Sequence, residues 1–215
     1  MKAVVITILD NEKSQEAADR CIKSAANFGI DVDKLEAITP KDNPVSIANQ
    51  LEIPLGGFKE AYSRFENCLS AFLSHRSAWK LCYESNKPLI IFEHDALVVD
   101  QIPVNVPFES LMSLGKPSYG NFETGRLLGV NLLFSKPYLP GAHAYMLKPH
   151  AAEKLLRSSM TGRARPTDIF LNNTYFPWIQ EYYPWPVEAR DTFTTIQNEE
   201  GCIAKHNFNS IYEIL

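Results

Sequence analysis

The chain opens with an apolar run at residues 3–9 that is rich in β-branched side chains and shows no alternation. Such a run is expected of a parallel strand covered on both faces. Helical spacing follows over residues 13–28, and Gly29 stands where a C-cap belongs. Residues 35–39 predict a second short strand closed by Pro40, and residues 40–57, mixed in character, predict loop with short turns. Over residues 60–84 the spacing is helical again, with Tyr62, Phe65, Leu69, Phe72, Trp79 and Tyr83 along one broad face. Residues 88–92 predict a central strand that 96–99 continue, and 127–134 and 144–147 predict two more. Pro149 opens a helix over 150–158, and Thr167 is the expected N-cap of another. This order predicts an α/β sheet. No repeat or Gly/Ser linker divides the chain, so residues 1–215 are expected to form one domain.

Composition narrows the function. With 215 residues, 45% of them hydrophobic, the chain can bury a large core without staples. Its 21 Lys and Arg against 25 Asp and Glu give a net charge of −4, which argues against a nucleic-acid binder. The four cysteines form no C-x-x-C pair and read as reduced packing residues of a cytoplasmic protein. The first apolar run meets Asp10 too early for a signal h-region, and no run reaches the length of a membrane span.

The stretch LIIFEHDALVV, residues 89–99, would be a buried strand if Glu93, His94 and Asp95 did not interrupt it. An unpaired charge in an apolar layer is costly, so either the strand ends there or a cation is bound. In an open parallel sheet the carboxyl ends of the strands face the ligand crevice, and carboxylates spaced i, i+2 can hold one hard divalent cation. On the preceding helix Arg76 falls within the apolar stripe and His75 on its flank. They are either a snorkelling arginine and a satisfied core histidine or two side chains that reach the site. Tyr175, Phe176, Trp178, Tyr182, Tyr183 and Trp185 crowd one region and read equally as sugar-stacking faces or as core.

Several segments occur in a fixed order: Ser74-His75 with Trp79, then Glu93-His94-Asp95-Ala96, then Gly141 before Ala144-Tyr145. After these come Ala152-Glu153-Lys154-Leu155-Leu156, Pro166-Thr167-Asp168, Pro186-Val187 and Thr194-Thr195-Ile196. This succession resembles glycosyltransferase family 25, the lipooligosaccharide and collagen galactosyltransferases. The resemblance implies a GT-A fold, a Rossmann-like, mixed and mostly parallel sheet flanked by helices, and Mn²⁺ or Mg²⁺ with a UDP-sugar donor. It implies Glu93 and Asp95 as metal ligands with His206 completing the shell, and Asp168 as general base unless that residue only favours a helix start. It further implies His75, Arg76, Glu93, Gly141, Ala142, His143 and Trp185 as substrate-binding residues.

Two departures stand out. His94 replaces the family's middle acid, and the first strand has Ile8-Leu9-Asp10-Asn11 in place of the family's Asn-Leu-x-Arg beginning, which leaves Asp10 or Asn11 as the candidate nucleotide contact there. The expected activity is metal-dependent, inverting transfer of galactose to a hydroxyl of a glycan acceptor in lipopolysaccharide biosynthesis, with peripheral membrane contact through a lipid-linked acceptor left open. The alternatives are a nucleotide-sugar or glycan binder without turnover and a metal-dependent phosphoester hydrolase.

Overall fold

The computed structural model describes residues 1–59, 64–125, 127–190, 193–196 and 213–214. In chain order the elements begin β1 (Lys2–Thr7), α1 (Glu12–Ala26), β2 (Val32–Glu36), α2 (Pro44–Gln50), α3 (Phe65–Ser85), β3 (Leu89–Glu93) and β4 (Ala96–Val98). They continue with β5 (Leu111–Ser113), β6 (Gly129–Leu132), β7 (Ala144–Leu147), α4 (Pro149–Ser159) and α5 (Thr167–Phe170). β8 (Ile179–Tyr183), β9 (Val187–Ala189), β10 (Phe193–Thr194) and β11 (Glu213–Ile214) follow.

The main sheet has seven strands in the order β2-β1-β3-β7-β5-β8-β6. β1 pairs parallel with both β2 and β3, and β5 with β8, whereas β7 and β6 pair antiparallel to their neighbours. Five strands therefore share one direction and two oppose it. The missing alternation in β1 and β3 has a direct cause. Val4, Ile6, Leu89 and Ile91 enter the core under α3 and α4, while Ala3, Val5, Ile90 and Phe92 enter the core under α1. The chain leaves β1 through α1 to β2 on one side and reaches β3 through α3 on the other. Strand order thus reverses between β1 and β3, where open sheets bind ligands.

Local sequence explains the ends of these elements. Asn11 caps α1 by accepting from the Ser14 N–H. Gly29, at φ +74, closes α1 in a Schellman arrangement: its N–H bonds the Ala26 carbonyl and the Ile30 N–H bonds that of Ala25. Pro149 takes the first position of α4 as expected.

Several expectations are corrected. Residues 40–57 contain the two-turn helix α2, started by Asn43, whose side chain accepts from the Ser46 N–H, and by Pro44. The long helix begins at Phe65 after an extended Arg64, and Tyr83, placed on its apolar face, is 46% exposed; Tyr62 lies outside the described residues. The second strand is Val32–Glu36, three residues earlier than predicted. Residues 96–98 do not extend β3, because the turn at residues 94–95 sends them to pair with β9 beside α1. Pro166, not Thr167, is the N-cap residue of α5, which is a single turn. Cys21, Cys68 and Cys82 are buried, and Cys202 lies outside the described residues.

Candidate active site

A crevice of about 540 Å³, including its solvent-open part, lies at the carboxyl ends of β1, β2 and β3 against α3. Ile6, Ile8, Ile38 and Pro40 give it an apolar wall, Ser70, Ser74, His75, Glu93 and His94 a polar one, and Thr195 and Ile196 also line it. Two serines fasten its rim. Ser14 Oγ accepts the Ile8 N–H at 2.9 Å and meets His94 Nδ1 at 2.7 Å. Ser74 Oγ accepts the Ile38 N–H at 2.8 Å while donating to the Ser70 carbonyl. The His94 ring thus turns toward α1, and burial, reinforced by Arg20, lowers its pKa to about 4.

His75, 1% exposed in the middle of α3, joins the motif residues into one network. Its Nε2 lies 2.7 Å from Glu93 Oε1 and its Nδ1 2.8 Å from the Tyr145 hydroxyl, which also accepts from Trp79 Nε1 at 2.8 Å. The His75 and Tyr145 rings stack, with centroids 5.8 Å apart. Glu93 is held from behind as well, since its N–H bonds the His143 carbonyl at 2.9 Å. Asp168, on α5, accepts from the Tyr119 hydroxyl at Oδ2 and from the Ile169 N–H at Oδ1, and its charge reaches both Glu93 and His75.

Burial, with the charge of Asp168 adding to it, pushes Glu93 up to about 8, although 26% of its side chain remains open. Burial pulls His75 down to about 3 against the opposing pull of Asp168. A carboxyl that holds its proton more tightly in the native state loses stabilisation as pH rises from its ordinary 4.5 to about 8. A histidine lowered from 6.5 to about 3 acts in the opposite sense, stability rising with pH across that interval. Only the Glu93 effect remains between pH 6.5 and 8. Metal-free protein is therefore expected to melt at progressively lower temperature across that window, and Glu93→Gln to flatten the decline. Melting curves in chelator check this, and an unchanged slope in the variant would contradict it.

The other expected site residues are distributed as follows. Arg76 is turned onto α4, where its Nε donates to Ser159 Oγ at 3.1 Å, and it does not line the crevice. Gly141 (φ +85) and Ala142 (φ +48) form a left-handed turn. A Cβ at Gly141 would come within 2.4 Å of Ser118 Oγ. The His143 ring, 2% exposed, sits against Gly115 and Gly141. Neither residue lines the crevice, and His143 reaches it only through the backbone carbonyl that accepts the Glu93 N–H. Trp185 donates to Glu181 Oε1 at 2.8 Å and packs with Phe122, Phe134 and Tyr183 at the β8 end of the same sheet edge, three strands from β3. Phe176 and its neighbours Tyr175 and Trp178 belong instead to the core under α3 and α4. Glu181, buried at 1% exposure, is engaged by Trp185 and by the N–H groups of Phe134 and Ser135.

The two strand-end carboxylates offer hard oxygen donors, as a divalent cation requires. Glu93 Oε1 is already engaged by His75, while Asp95, in the turn after β3, has its charge near Cys21 of α1. Among the described residues no group of three His, Cys, Asp or Glu side chains is arranged to hold a metal, and His206 lies outside them. Sequence reading missed Tyr119, the partner of Asp168. It had Trp79 and Tyr145 as motif positions without their link to Glu93.

Residues 5–109 match the model of glycosyltransferase family 25, described as an LPS biosynthesis protein. The match spans β1 to the loop before β5 and includes Ser74, His75, Trp79, Glu93 and Asp95, while the motifs from Gly141 onward lie beyond it. No curated protein matches the chain.

Proposed function

We propose that the protein transfers a hexose, galactose first among the candidates, from a UDP-sugar to a hydroxyl of a glycan acceptor with inversion at the anomeric carbon. The observation that carries this reading is the meeting of Glu93, His75 and the charge of Asp168 at the switch-point crevice of a chain whose first 109 residues contain the family match. The match itself supports a glycosyltransferase. The apolar wall of Ile6, Ile8, Ile38 and Pro40 suits a flat nucleobase, and the polar wall leads from it toward Glu93.

In this reading Asp168 accepts the proton of the acceptor hydroxyl as the acceptor oxygen bonds the anomeric carbon and the bond to the UDP oxygen breaks. One displacement of this kind inverts the centre. Tyr119 holds Asp168 in place through Oδ2. Glu93 and Asp95, with His206 as the further candidate, would hold Mn²⁺ or Mg²⁺, which when bound neutralises charge on the departing diphosphate. The family description supports a lipid-linked acceptor, and no helix among the described residues is long and apolar enough to cross a membrane.

The test is UDP release from a panel of UDP-sugars with and without glycan acceptors, in Mn²⁺ and in chelator. Release that requires acceptor and metal is expected. Release without acceptor would make the protein a hydrolase, and binding without release a nucleotide-sugar receptor.

A further inference from the structure

The network behind Glu93 has one feature that distances alone do not express, its direction. An indole N–H can only donate, so Trp79 Nε1 gives its hydrogen to the Tyr145 oxygen at 2.8 Å. Tyr145 is 0% exposed, and its hydroxyl meets Trp79 and His75. Were it to accept from His75 as well, its own hydrogen would be left in the core without an acceptor, the arrangement buried polar groups avoid. Tyr145 therefore donates to His75 Nδ1. A neutral imidazole that accepts at Nδ1 carries its hydrogen on Nε2 and donates it at 2.7 Å to Glu93 Oε1.

We infer that Trp79 and Tyr145 are positioning residues: they fix the His75 tautomer, and His75 in turn occupies one oxygen of Glu93 so that only the other is presented to ligand. The parts come from three separate segments. α3 supplies His75 and Trp79 one turn apart on one side of the helix, β7 supplies Tyr145 and β3 supplies Glu93, with Tyr145 paired to Ile91 two residues before it. The stacking of His75 on Tyr145 holds the ring plane in which both bonds can form. Neither Trp79 nor Tyr145 lines the crevice, so both act only through His75. This role rests on the proposed transferase reading for its kinetic consequence, but the tautomer is a property of the protein alone.

The test is ¹⁵N NMR of the histidine rings in wild type, Tyr145→Phe and Trp79→Phe, combined with kinetics. Wild-type His75 is expected to be neutral with hydrogen on Nε2 only. In Tyr145→Phe, Nδ1 loses its donor and the single-tautomer signature should disappear. The same variant should raise donor KM in Mn²⁺ by tenfold or more and leave kcat at saturating donor within a few-fold, a split that general destabilisation would not produce. Should Tyr145→Phe fail to fold, Trp79→Phe, which leaves the tyrosine free to reverse, gives the same reading. Hydrogen on Nδ1 in the wild type would overturn the inference, as would a folded Tyr145→Phe protein with the wild-type tautomer and normal donor KM. The expected tautomer in a protein that transfers no sugar would instead refute the transferase reading and leave the network standing.

Discussion

Asp168→Asn is expected to lower kcat by roughly 10² to 10⁴ while donor binding changes little, the usual loss when a general base is removed. The substitution keeps side-chain size, and an asparagine oxygen can still accept from Tyr119 or from the Ile169 N–H, the two groups that hold Asp168. It also removes the negative charge that helps raise Glu93, so the Glu93 carboxyl should titrate lower in the variant. That second readout separates a lost charge from lost structure. Steady-state kinetics with saturating donor decide the matter. A folded Asp168→Asn enzyme with near-normal kcat would take Asp168 out of the mechanism. Glu181 would not replace it, because its two oxygens already hold Trp185 and two backbone N–H groups.

Asp95→Ala is expected to abolish both transfer and Mn²⁺-dependent binding of UDP in a protein that still folds. Asp95 stands half-buried in the turn after β3. Calorimetric titration of UDP with and without Mn²⁺ measures the effect, and unchanged metal-dependent affinity would exclude Asp95 as a ligand. Glu93→Ala should abolish the same binding but also cost stability. It strands the buried His75 Nε2 hydrogen, a loss of about 1–3 kcal/mol for an unsatisfied buried donor.

How much of this was readable in the sequence depended on the range of the forces involved. β1 and β3 were visible as apolar runs because both their faces are covered, and Gly29 was visible because a left-handed residue after a helix favours glycine. Glu93 was visible because a carboxylate in an apolar run needs a reason. β5 was not, since three residues, Leu111–Ser113, carry too little pattern to rise above a loop, and only β7 and β8 on either side make them a strand. Arg76 looked like a site residue because a helical wheel gives angle but not neighbour, and the neighbour is Ser159 on α4. The bonds from Trp79 to Tyr145 and from Tyr119 to Asp168 join residues 66 and 49 positions apart, a separation that periodicity does not encode.

The serines at the crevice rim make two backbone amides informative. The Ile8 and Ile38 N–H groups donate to Ser14 and Ser74 side chains, on helices that cover opposite faces of the sheet. Hydrogen exchange at Ile8 therefore times the parting of the chain from α1, and exchange at Ile38 times its parting from α3. Strand amides in β1 and β3 need disruption of the sheet itself to exchange. Two peptide groups, one and two residues beyond their strands, would thus act as separate clocks for the two sides of the crevice, running whether or not a sugar is ever transferred.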